Sequence, residues 1–527
     1  MAAGLLTRVL MRLIRSLMIF SAALLLATLP VPPARAAAEP AAPASPAPTK
    51  SLEYRFGDGV TIRVHYSDET LHRYGEDASM ARRVLDAAVQ AYQTITEFSG
   101  FSTPGYTFAA ADESYAYDPD RTIDVYLGDP ADDEPFKGSA YAGLTFRDAP
   151  CFDTRQRSPT AFDAVILLPA NYKNFINNWE KLNPSSLGPR NVEVDLRGTL
   201  MHEMLHAVLF YYNKNLDKEG RDGPAGDDGA RRIDWYIEGL ARYFETFAGA
   251  RHDFFSQGFK QTLPDKVRFS RGGSNYFMRY PDQAFTELRY ENALFWRFVH
   301  DRFGMERIED LSRRLRKSSR EPTRFRVLLE EVTGVPFEEL LQRFALAILL
   351  KDFGLKTDAA FLLEVARTRL AFAPDGGLEL VDGREGRREL GRACRTDWIG
   401  RWEGFRAVLD GPPAAGDGTP RSDVSGWATD FYEIAFEGGA LPAGLNVRHE
   451  GAAGEGLSVQ FVVVSKGDSR IVKSLPRIRP GQERSLDLAR TLRENGLREA
   501  DLEKIWVLVT NADPSRNADY ALLAPEV

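Results

Sequence analysis

Cysteine and histidine are scarce in this chain, with 2 and 7 among 527 residues. Two thiols, Cys151 and Cys394, exclude a cysteine-built metal centre and a disulfide-stapled scaffold. At most they form one long-range bridge, a pairing that sequence leaves open because it carries no distance. A Lys/Arg-rich block is also lacking, and the formal charge is −8, which argues against a nucleic-acid partner. Beyond the N-terminal stretch, no apolar run reaches the roughly 20 residues that a membrane-spanning helix requires. The hydrophobic fraction of 43% is that of an ordinary globular protein.

The N-terminal stretch has a basic head (Arg8, Arg12, Arg15), an apolar middle from Leu17 to Leu29 and the small-x-small end Ala34-Arg35-Ala36. That order is the pattern of a secretory signal peptide over residues 1–36, with cleavage after Ala36 or Ala38. An uncleaved anchor is the alternative, disfavoured by the short apolar run. Residues 37–50 then read as a Pro/Ala-rich linker. Loss of the signal's four arginines takes the formal charge from −8 to −12. The expectation is a mature chain exported to the periplasm or the extracellular space, without a stable membrane span.

The chemistry concentrates in TLMHEMLHAV, where His202 and His206 bracket Glu203 as His-Glu-x-x-His. On a helix, two histidines four residues apart share one face, so both rings can reach one metal ion. Glu203 then stands beside the metal as a general base for water. The spacing predicts a helix from about Val192 to Tyr212, with Leu196, Leu200, Met204, Val208 and Leu209 burying one face. Leu209 and Tyr212 occupy the positions where a metzincin carries its glycine and third histidine, so that arrangement is excluded. A Gly/Asp-rich loop leads instead to a second helix, DWYIEGLARYFETF, on which Glu238, Ala241 and Glu245 share a face. Glu238 is the natural third ligand.

His202-Glu203-x-x-His206 followed by Trp235-x-x-Glu238-Gly239-Leu240-Ala241-x-Tyr243-x-Glu245 resembles the gluzincins, the superfamily of thermolysin and the zinc aminopeptidases. The resemblance implies Zn2+ held by His202, His206 and Glu238, with Glu203 as base. Glu245 would stand behind a ligand histidine and orient it, or else be a solvated helix residue. Tyr290, in Tyr290-Glu291-Asn292-Ala293, matches the family's oxyanion-stabilising tyrosine, although a packing role is equally open. The Gly-x-Met-Glu-Asn strand with which the aminopeptidases hold a substrate amine has no counterpart before His202. Cleavage within peptides or proteins is therefore expected over stepwise removal of N-terminal residues, with the segment from Ser139 to Asp148 as a candidate edge strand for the substrate.

The fold class expected is α+β, a zincin-like catalytic domain followed by a β-sandwich. Its α/β half, a small mixed sheet with a helix packed on it, covers residues 51–190. The helical half carrying His-Glu-x-x-His covers 191–355, and 356–425 reads as a connecting region. Short runs of period two between Gly, Pro and Asn turns, such as ATDFYEIAF and LSVQFVVVS, predict the sandwich over 426–527. The functional expectation is an exported zinc metallopeptidase acting on a peptide or protein substrate. Two alternatives stand beside it, a non-enzymatic surface-binding protein on the same scaffold and a zinc hydrolase of non-peptide amides or esters.

Overall fold

A computed structural model describes residues 50–101, 122–128, 144–147, 164–173, 192–212, 234–248, 285, 292–315, 322–353, 367–372, 378–380, 421–424, 427–436, 442, 444–450, 454–513 and 518–523. The expected signal peptide, its linker up to residue 49, both cysteines and Tyr290 lie outside the described residues. From Thr49 onward the chain forms one compact unit. It is mixed α and β with several sheets, as expected at that coarse level.

Strands β1 (Lys50–Arg55) and β2 (Thr61–Tyr66) form an antiparallel hairpin, with Gly59 at φ +92° in its turn. Helix α1 (Asp68–Arg73) follows, and α2 (Ala78–Gln93) starts where the Asp77 carboxylate accepts from the Ser79 N–H. Three further strands complete the first sheet: β3 (Thr122–Gly128), β4 (Leu144–Arg147) and β5 (Ala164–Pro169). The order is β1-β2-β3-β5-β4, parallel from β2 through β5, with an antiparallel strand at each edge. Alternation places Ile62, Val64, Ile123 and Val125 in the core. The intervening residues carry a polar group: His65 Nε2 lies 2.7 Å from Asp124 Oδ1, and its ring stacks on Tyr126 at 4.2 Å. His65 is thus tied to a buried carboxylate on the neighbouring strand.

Among the described residues six helices follow, α3 (Val192–Tyr212), α4 (Asp234–Phe244, continued by a 3-10 turn Glu245–Ala248), α5 (Ala293–Phe303), α6 (Met305–Leu315), α7 (Pro322–Thr333) and α8 (Phe337–Leu350). The histidine helix α3 has the expected bounds but a different environment. It packs on α2, β4 and β5 and also against α4 with its 3-10 turn, so every position from Leu200 to Leu209 is buried. One buried face was expected; a helix enclosed all round is apolar all round, which hides the amphipathic stripe.

The C-terminal strands are β6 (Thr368–Phe372), β7 (Leu378–Leu380), β8 (Arg421–Val424), β9 (Ala428–Ala435), β10 (Gly444–His449), β11 (Leu457–Ser465), β12 (Arg470–Ser474), β13 (Glu483–Asp487), β14 (Leu502–Asn511) and β15 (Ala518–Leu523), with α9 (Leu488–Glu494) between β13 and β14. They form a six-stranded sheet, β12-β11-β14-β9-β6-β7, and a four-stranded sheet, β13-β10-β15-β8. Strands β6, β7 and β8 come from the stretch that reads in sequence as a connector. They are short, and β6 runs parallel to β9, a pairing without hairpin signals.

All nine positions of β11 are buried. One of its faces, with Val459, Phe461 and Val463, joins the apolar core of the two sheets; the other, with Val462 and Val464, joins the core shared with the helices. A sheet covered on both faces needs no polar alternation, which explains the run VQFVVV. Polar links also cross this junction. Arg477 contacts both Glu338 of α8 (3.3 Å) and Glu455 (3.2 Å), and Arg326 of α7 pairs with Glu455. Among the described residues no helix is long and apolar enough to cross a membrane.

Candidate metal centre

Helix α3 presents His202 and His206 one turn apart on the side facing α4, and α4 presents Glu238 back toward them. The Nε2 atoms of the two histidines are 3.0 Å apart. Glu238 Oε2 lies 3.2 Å from His202 Nε2 and 3.7 Å from His206 Nε2. A triangle with these sides has a circumradius of about 1.9 Å, so a point about 2.1 Å from all three atoms, the usual zinc-ligand distance, lies just off its plane. The three residues can therefore hold one metal ion.

The tautomer of His202 sharpens this. Its Nδ1 lies 2.9 Å from Glu245 Oε1, a carboxylate that only accepts, so Nδ1 carries the proton. In the neutral ring Nε2 is then a bare lone pair, aimed at a second carboxylate and at another imidazole nitrogen. Three such atoms this close need a shared proton or a metal ion between them, the proton being one carried by His206 Nε2 or by a charged His202 ring. Without a metal the site takes up the proton. Burial works against a charged His202 ring, but hydrogen bonds to Glu238 and Glu245 and the charge of Glu203 outweigh it and raise its pKa to about 10. Burial likewise opposes the ionised form of Glu238, yet the two histidines hold its carboxyl well below the usual range.

Each side chain has a structural reason for its place. Glu203 is buried beside His202 at 7% exposure. Glu245 opens the 3-10 turn and is also buried, so the solvated alternative falls away. Its other oxygen accepts from the Arg242 guanidinium one turn back, which leaves Oε1 for His202. Trp235 and Tyr243 of the same helix point into the core: Trp235 stacks on Trp296 at 5.6 Å, and the Tyr243 hydroxyl lies 2.6 Å from His300 Nδ1. The structure thus brings together His202, His206, Glu238 and Glu245, with Glu203 close enough for its charge to act on His202, whereas Tyr290 lies outside the described residues. Arg242 was not singled out from sequence. Its spacing three residues before Glu245 on a helix was the available signal.

No protein-family model and no curated protein matches the chain. Among solved structures, it is similar to a family GH115 4-O-methyl-alpha-glucuronidase with specificity for decorated arabinogalactans, at 10% identity and a TM-score of 0.13. The match covers 71% of this chain and 47% of that one, so the chain spans about half the length of that enzyme. A likeness so faint carries no argument about fold or activity.

Proposed function

We propose that the chain is an exported zinc metallopeptidase of the gluzincin type. The observation that carries this reading is the triangle of His202 Nε2, His206 Nε2 and Glu238 Oε2, with the lone pair of His202 fixed toward its centre by Glu245. Two neutral nitrogens and one carboxylate suit zinc, and three protein donors leave a coordination position open, as in catalytic rather than structural sites. Bound there, zinc supplies a Lewis acid that polarises a carbonyl and acidifies water.

The remaining roles belong to the chain. Glu203, buried next to His202, accepts the proton of the attacking water and returns it to the leaving amine. Glu245 holds the His202 ring in one tautomer and orientation. Strand β4 ends the first sheet beside α3, and among the described residues no strand pairs with its outer side. Ladder groups unpaired among the described residues suit an extended peptide added as a further strand, which favours a peptide over a small ester or amide. The test is hydrolysis of a denatured protein by the purified chain, with and without a chelator and after zinc is restored. Activity that is lost to the chelator and regained with zinc supports the reading; hydrolysis indifferent to the chelator refutes it.

A further inference from the structure

Trp427 enters β9 at φ +53°, a left-handed conformation that a bulky residue adopts only when its surroundings impose it. Its indole N–H donates to the Ala512 carbonyl at 3.0 Å, and the side chain is 1% exposed. So held, the ring leaves the sandwich and enters the helical core, 4.6 Å from Phe337 and 5.8 Å from Trp235 at an interplanar angle of 85°. Trp235 lies one turn before Glu238 on α4. Its indole nitrogen has no hydrogen-bond partner among the described residues, so the side chain is held by ring packing, against Trp296 at 5.6 Å, Phe325 at 5.1 Å, Phe285 at 5.9 Å and Trp427, while its backbone carbonyl accepts from the Trp296 indole at 3.5 Å.

We propose that Trp427 is a positioning residue for the metal centre, setting the rotation of α4 through Trp235 and with it the place of the Glu238 carboxylate. This rests on the metal reading above. A rotation of α4 by about 10° moves a carboxylate about 6 Å from the helix axis by about 1 Å. That is enough to open the Glu238 corner of a triangle whose sides are 3.2 and 3.7 Å. The sandwich is in this sense part of the metal site, although it supplies no ligand.

The experiment compares zinc affinity, by competition with a chromophoric chelator, and the visible absorption of the cobalt-loaded form across variants of the full chain. Trp427→Ala should weaken zinc about tenfold or more and alter the cobalt bands, whereas Trp427→Phe, which keeps a ring there, should recover most of the affinity. Phe461→Ala empties a fully buried site between the two sheets and should lower the melting temperature while leaving the zinc Kd within twofold. If Trp427→Ala does not fold, Trp427→Leu takes its place. Wild-type zinc affinity in the ringless variant, or equal weakening by Phe461→Ala, overturns the proposal. Glu238→Ala separates the two ideas, since undiminished zinc binding there removes the metal assignment itself.

Discussion

Replacing Glu245 tests how much of the metal centre depends on a residue that never touches the metal. Its two oxygens face two donors, Oε1 the Nδ1–H of His202 at 2.9 Å and Oε2 the guanidinium of Arg242. Glutamine fits the space but has one acceptor, so in either amide orientation an NH2 group opposes one of these donors. If it opposes His202, the proton can move to Nε2 and remove the lone pair from the metal; if it opposes Arg242, a nearly buried guanidinium loses its charged partner. Substitutions behind metal-binding histidines weaken metal binding about 10- to 100-fold, which corresponds to about 1.4–2.8 kcal/mol. At a zinc concentration saturating both forms, the thermal stabilisation by zinc should fall by about that amount. The assay is a chelator competition on Glu245→Gln beside wild type, with melting curves in zinc and in chelator. A folded variant with the wild-type zinc Kd would refute the orienting role.

Glu203→Gln should keep a full complement of zinc by elemental analysis while hydrolysis drops by about 10²–10⁴-fold, the usual worth of a general base; full activity removes Glu203 from that role. Tyr290→Phe should lower kcat with zinc content unchanged, as for a donor to a developing oxyanion, and an unaltered kcat assigns the tyrosine to packing. Zinc uptake should release a proton from His202 at any pH below about 10, so the apparent Kd should tighten about tenfold per pH unit for that proton near neutrality, measurable by titration in buffers of different ionisation enthalpy. In chelated protein the raised His202 pKa contributes stability that is complete below the unfolded value of about 6.5 and lost as pH rises toward 10, so denaturant midpoints should fall across that window. Gly304 caps α5 at φ +94°, where an added Cβ would meet the Glu306 carboxylate, so Gly304→Ala should cost about 1–3 kcal/mol in chemical denaturation.

The grouping of His202, His206 and Glu238 was legible because metal chemistry restricts both residue type and spacing. His202 and His206 lie one helical turn apart, and Glu238 follows on the next amphipathic segment. The role of Glu245 was legible only as one of two readings, since helical spacing places a residue on a face without saying what covers that face. The enclosure of α3 was not legible, because a helix buried on all sides and one buried on a single side share the same apolar positions. Strands β6 to β8 escaped for another reason: their partners lie far along the chain, and parallel pairing such as β6 with β9 leaves no local turn signature. The doubled burial of β11 was written in VQFVVV, but an unbroken apolar run does not say what lies on either side.

The six-stranded sheet joins strands from both sides of the stretch 381–420, with β6 and β7 on one side and β9, β11, β12 and β14 on the other. The molecule is therefore stitched across that stretch by a ladder rather than by the covalent chain alone. A single peptide-bond break there leaves β6 in register on β9 and Trp427 between the helices, so the two fragments remain one particle. Covalent continuity across that stretch is thus not what holds the C-terminal sheets to the helices. On a denaturing gel a molecule broken there shows two bands, whereas in native solution it keeps its mass.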